Sequence, residues 1–280
     1  MDSLVTTDWL AGELGAPDLQ VIDATIFLPG SGRYARSEFE AEHIAGAVFM
    51  DLDEIVDSDN PAPHMLPPAQ KFATAMESLG LGSGDRLIVY DNSPLHSAAR
   101  AWWMLKTFGA SSVAILDGGL SKWAVEGRPV EQGSPARGRG GFAARIHPAA
   151  VADMDYVSGI VHSDSHEVVD ARPAPRFAGG EPEPRPGVMP GHIPSSRNLP
   201  QTELFRADNS WKRGEELRSA FERAGVDLDK PMVTTCGSGV TAAVLLFGAH
   251  LLGKKDVKLY DGSWSEWGSN PATPKAVGAQ

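Results

Sequence analysis

The chain has 280 residues, with 42% hydrophobic and 22% charged side chains and a formal net charge of −11. That length suits one large domain or two ordinary ones, and the acidic balance speaks against nucleic acid or an anionic membrane surface as partner. The single cysteine permits no internal disulfide, no apolar run approaches the ~20 residues of a membrane span, and Met1-Asp2-Ser3-Leu4 is not a basic segment leading into an apolar core; the cytoplasm is therefore the expected compartment.

In chain order, the residue patterns predict a helix over 7–11, a strand over 21–26, a helix over 69–79, a strand over 86–90, a helix over 97–108 and a strand over 113–116. Short apolar runs alternating with helical patterns define an α/β unit with a mostly parallel sheet covered on both faces. Residues 131–144, rich in Gly, Arg, Ser and Pro, read as an irregular linker. A strand over 231–235 and a helix over 240–252 follow in the second half. The tail after Trp267, rich in Gly, Pro and Ala, is expected to fray.

The two halves repeat each other. Val21-Ile22-Asp23-Ala24 returns as Val168-Val169-Asp170-Ala171, and His43-Ile44 as His192-Ile193. Asp91, ending its strand, corresponds to Cys236, and Asp117-Gly118-Gly119-Leu120 to Asp261-Gly262-Ser263-Trp264. Four segments in one order at a nearly constant offset indicate tandem duplication of a domain of roughly 130 residues. The expected organisation is a first domain over 1–130, a linker over 131–147 and a second domain over 148–280. His43 and His192 occur in both copies and read as structural. Trp102, Trp103, Trp123 and Trp267 read as packing residues.

The copies differ where the chemistry is expected. Cys236-Gly237-Ser238-Gly239-Val240-Thr241 lies between the second copy's strand and helix. A thiol at such a turn faces backbone N–H groups and the positive end of a helix dipole, which favour the nucleophilic thiolate. Ligands of parallel sheets also sit beyond the carboxyl ends of the strands. The first copy has Asp91 there, and Pro94 removes an N–H from its turn, so it cannot perform thiol chemistry.

The duplication, the Asp-Ala strand ends, the paired His-Ile segments and the loop Cys-Gly-Ser-Gly-Val-Thr-Ala together resemble the two-domain rhodanese-like sulfurtransferases, over nearly the whole chain. The loop is most similar to the branch acting on 3-mercaptopyruvate, because Gly237 and Ser238 stand where thiosulfate-preferring members typically carry basic residues. The resemblance implies a Cys236 persulfide and substrate binding by Arg176, Arg185, Gly237, Gly239, Val240 and Thr241. Guanidinium forks match the carboxylate and carbonyl oxygens of a 2-oxo acid. It also implies a serine–histidine–aspartate set of Ser238, His64 and Asp53, with no metal and no cofactor. The partners implied are a small-molecule sulfur donor and an external thiol, such as a thioredoxin-like protein, or cyanide. The alternatives are a thiosulfate:cyanide sulfurtransferase and a non-catalytic sulfur carrier. A cysteine phosphatase or arsenate reductase needs an arginine ending the loop, where this chain has Thr241 and Ala242.

Overall fold

The computed structural model describes residues 1–135 and 138–278. The chain forms two compact units: Met1–Asp57 with Leu66–His147 and Ala207–Ser210, and Ser58–Met65 with Pro148–Arg206 and Trp211–Gln280. The first contains β1 (Leu4–Val5), β2 (Leu19–Asp23), β3 (His43–Ile44), β4 (Val48–Phe49), β5 (Arg86–Tyr90), β6 (Ser112–Leu116) and β7 (Val130–Glu131). Its main sheet runs β1-β6-β5-β2-β4, all parallel, while β3 and β7 form a separate antiparallel pair. The second unit contains β8 (Val151–Ala152), β9 (Glu167–Asp170), β10 (Arg197–Asn198), β11 (Met232–Thr235) and β12 (Val257–Tyr260). Its sheet runs β8-β12-β11-β9-β10, again all parallel and in the same spatial order as the first.

The central strand β5 of the first sheet is a nearly continuous apolar run because helices cover both its faces, whereas β11 of the second ends in the buried Thr234 and Thr235. Leu87 to Tyr90 of β5 are all fully buried. Beside β11, the helix Ala242–Leu251 is buried around its whole circumference from Ala242 to Ala249, as its uniformly apolar sequence requires. Both units open their first helix in the same way. Thr6 caps the helix Thr7–Glu13 by accepting from Trp9 N at 3.2 Å, and Asp153 caps Met154–Ile160 by accepting from Tyr156 N at 2.8 Å.

The duplication extends to single hydrogen bonds. Ala24 N donates to Tyr90 O at 2.9 Å, and Ala171 N to Thr235 O at 2.9 Å. Leu120 N donates to Asp91 O at 3.1 Å, and Trp264 N to Cys236 O at 2.9 Å. His43 Nδ1 meets Phe39 O at 2.7 Å and His192 Nδ1 meets Phe177 O at 2.9 Å, each ring stacking on that phenylalanine. Both histidines are therefore core residues. Trp102, Trp103, Trp123 and Trp267 are buried as well.

Residues 136 and 137 of the expected linker lie outside the described residues. The rest of that segment is anchored to the first unit: Gly140 N donates to Glu77 O at 2.8 Å, and the buried Phe142 ring meets Phe72 edge-on.

The expectation of a frayed tail is overturned, apart from residues 279 and 280, which lie outside the described residues. Trp267 Nε1 donates to Pro274 O at 2.7 Å, and Ala276 exchanges backbone hydrogen bonds of 2.9 and 3.0 Å with His192. Composition misled because backbone pairing to His192 needs no particular side chains. Among the described residues no helix is long and apolar enough to cross a membrane.

Candidate active site

Cys236 follows directly on β11, beyond the carboxyl end of a central strand, and is 2% exposed. Its backbone is locked from the segment after β12. Its amide donates to Ser263 Oγ at 3.2 Å, and its carbonyl accepts from Trp264 N. Gly237 O accepts from Ser265 N at 2.8 Å and from Ser265 Oγ at 2.6 Å. A strand-to-helix turn is expected to leave backbone N–H groups open to a ligand, but that of Cys236 itself is engaged. Ser263 is one of the few non-glycine residues with left-handed backbone, φ 49°. Its counterpart Gly119 has φ 58°, and a Cβ there would lie 2.4 Å from Asp91 O. Sequence reasoning missed Ser263 and Ser265, although the echo of Asp261-Gly262-Ser263-Trp264 marked their neighbourhood.

The two loop glycines are needed for different reasons. Gly239 takes φ 79°, which other residues rarely adopt. Gly237 has no such constraint, but a Cβ on it would stand 3.3 Å from Arg176 Nη2, so its smallness admits the guanidinium. Ser238, Gly239 and Val240 are buried and Thr241 half-buried, ahead of the helix that begins at Ala242.

His64 belongs to the second unit through the segment Ser58–Met65. Its Nδ1 lies 2.8 Å from Ser238 Oγ, across 174 positions of sequence. Its backbone is left-handed, φ 60°, an uncommon conformation that accumulates at functional sites. Asp53 lies in the first unit, exposed, with its amide donating to Asp51 Oδ1 at 3.1 Å. The second unit thus brings together Cys236, Ser238, His64 and Arg176. Arg185 is half-buried, two residues beyond Glu183.

A buried ion-pair chain underlies Arg176, and sequence reasoning missed it. Arg172 is 1% exposed and forks onto Asp170, 0% exposed, with Nη2 to Oδ2 at 2.7 Å. Its Nη1 donates to Glu183 Oε1 at 2.8 Å, and Arg176 Nη2 donates to Glu183 Oε2 at 2.5 Å. Burial disfavours the Arg172 charge, but Asp170, Glu183 and then Cys236 outweigh it and hold the guanidinium above its ordinary basicity. The first copy has Thr25 where the second has Arg172, so the copy without the thiol also lacks this cation.

The rhodanese-like domain family matches twice, over residues 6–126 and 153–270. The 3-mercaptopyruvate sulfurtransferase of Escherichia coli strain K12 is 45% identical over 271 residues, 96% of this chain and 96% of that protein. The human 3-mercaptopyruvate sulfurtransferase is 44% identical, over 95% of this chain and 91% of that protein. The crystal structure of SseA from Escherichia coli, a 3-mercaptopyruvate sulfotransferase with the rhodanese fold, matches with a TM-score of 0.87 and 43% identity, covering 95% of this chain and 100% of that one. Two parallel α/β sheets of identical order, one ending in a buried thiol, define the tandem form of this fold. The chain belongs to the rhodanese-like family.

Proposed function

We propose that this chain is a sulfurtransferase that moves sulfur from 3-mercaptopyruvate through a Cys236 persulfide to an external thiol or cyanide, releasing pyruvate. The observation that carries the reading is the approach of the Arg176 guanidinium to Gly237, the residue that follows Cys236 in the loop. A carboxylate-bearing donor held by Arg176 and Arg185 sets its sulfur against Cys236. The Cys236 thiolate attacks that sulfur, the sulfur–carbon bond breaks, and its electron pair leaves on carbon as the enolate of pyruvate. The enolate takes up one proton. The amides of Gly237, Gly239, Val240 and Thr241 stabilise the negative charge on sulfur.

The Ser238–His64 pair carries the proton between donor thiol and leaving carbon; Asp53 is added to it by the family resemblance. In the second half-reaction an external thiolate or cyanide attacks the outer sulfur and returns Cys236 as thiolate. The chain has one cysteine, so an acceptor from outside must discharge the persulfide. A reduced thioredoxin-like protein in the cytoplasm suits that role, since thiols are kept reduced there.

The test is kcat/KM for 3-mercaptopyruvate and for thiosulfate side by side, with cyanide as acceptor, together with Cys236→Ser. The expected result is preference for 3-mercaptopyruvate and loss of turnover in the variant. Preference for thiosulfate overturns the donor. Turnover of neither, or a fully active Cys236→Ser, overturns the enzyme reading.

A further inference from the structure

Glu183 lies in a segment of Gly and Pro, Gly179-Gly180-Glu181-Pro182-Glu183-Pro184, where an acidic side chain is ordinarily solvated. Here its side chain is 4% exposed although the residue as a whole is half-buried, with one oxygen on Arg172 and the other on Arg176. Arg172 is itself buried and held on several sides. It is forked onto Asp170, donates to Gly191 O at 2.8 Å and lies 4.8 Å from the centre of the Trp264 ring. One Glu183 oxygen is thus anchored to a fixed cation, which leaves the other a fixed point for Arg176. Arg176 needs one: it projects from the four-residue helix Ala174–Phe177, and a free arginine side chain samples many rotamers. The bound atom, Nη2, is also the one that approaches Gly237, while the buried Arg176 Nε has no hydrogen-bond partner among the described residues.

We propose that Glu183 is a positioning residue for donor binding: through Nη2 it holds the Arg176 guanidinium against the cysteine loop, where the donor carboxylate is bound. This rests on the 3-mercaptopyruvate reading above. A pre-set guanidinium binds the non-reacting end of the donor alike in ground and transition states, so its misplacement appears in KM rather than in kcat.

Glu183→Gln keeps the size but has one acceptor oxygen for two guanidinium groups. It is expected to raise KM for 3-mercaptopyruvate on the order of 10-fold, with kcat within about two-fold of wild type. Added to Arg176→Ala, the same change is expected to move KM less than about two-fold, because Glu183 acts through Arg176. Should Glu183→Gln not fold, Glu183→Asp serves. It keeps the charge, and an unchanged Arg172 contact puts its shorter carboxylate out of reach of Arg176, with the same rise in KM. An unmoved KM in a folded variant, or the full effect persisting without Arg176, overturns the proposal. Wild-type enzyme is assayed alongside. Failure of wild type to use 3-mercaptopyruvate sinks the donor reading and this inference with it, whereas wild-type turnover with unmoved variants sinks the positioning role alone.

Discussion

Ser263 gives a test in which the sign matters more than the size. Its Oγ accepts from Cys236 N at 3.2 Å and donates to Tyr260 O at 2.8 Å, and its backbone is left-handed at φ 49°. Ser263→Ala removes the oxygen and keeps the Cβ. The Cys236 amide, buried, then loses its acceptor, a cost of about 1–3 kcal/mol, and the left-handed strain stays. Ser263→Gly loses the same hydrogen bonds but relieves ~1–2 kcal/mol of strain, offset by ~0.5–1 kcal/mol of added chain entropy in the unfolded state. Glycine should therefore be the milder substitution by about 0.5–1 kcal/mol. At an ordinary helical position alanine wins by about 1 kcal/mol instead. The first copy already uses glycine here, as Gly119.

The assay is urea unfolding read by pulse alkylation of Cys236, which is buried and is the only thiol, so the signal reports the second unit. With a urea slope of roughly 2 kcal/mol per M, the midpoint of Ser263→Ala should fall by about 0.5–1.5 M. That of Ser263→Gly should lie between the alanine variant and wild type. An alanine variant as stable as the glycine one refutes the strain argument. Midpoints of both indistinguishable from wild type refute the hydrogen-bond argument.

Two further outcomes are expected. Burial pushes the Asp91 carboxyl up to about 7, against the Ala98 and Ser93 amides that favour its charge. Its contribution to stability is therefore complete below its unfolded value near ~3.9 and lost as pH rises through 7, at most about 4 kcal/mol. Wild type measured against Asp91→Asn should lose relative stability between pH 4.5 and 8 in urea titrations. Parallel profiles would count against the burial of that charge. His96, pushed down to about 4 by burial, destabilises in the opposite direction as pH falls, but it is common to both proteins and cancels. Deleting residues 274–280 removes the Pro274, Ala276 and Gly278 backbone hydrogen bonds to Trp267, His192 and Ala178. At about 1 kcal/mol each the second unit should lose roughly 3–4 kcal/mol by the Cys236 alkylation assay, and no loss would restore the frayed tail.

Alternation of apolar runs with helical periodicity, repeated twice, was enough to read the duplicated parallel α/β architecture, with element ends correct to within a few residues. It also placed Cys236 at a strand end and showed Asp91 in its place in the first copy. These are local properties: burial imposes a period on a strand or helix, and a turn residue marks where that period stops. The site was legible only in part. Cys236, Gly237 and Gly239 stood out in one short motif, and family resemblance supplied His64 and Arg176. Ser263, Ser265, Arg172 and Glu183 stood in no such pattern, and nothing in the composition of the tail announced its pairing with His192. Each of these depends on a hydrogen bond or buried charge pair whose partners are set by the packing of distant or irregular segments. A serine with one available acceptor lone pair, or a glutamate between prolines, reads the same in sequence whether water or a buried guanidinium meets it. Tertiary structure decides which, because leaving such a group unmet inside the protein costs more than leaving it in water.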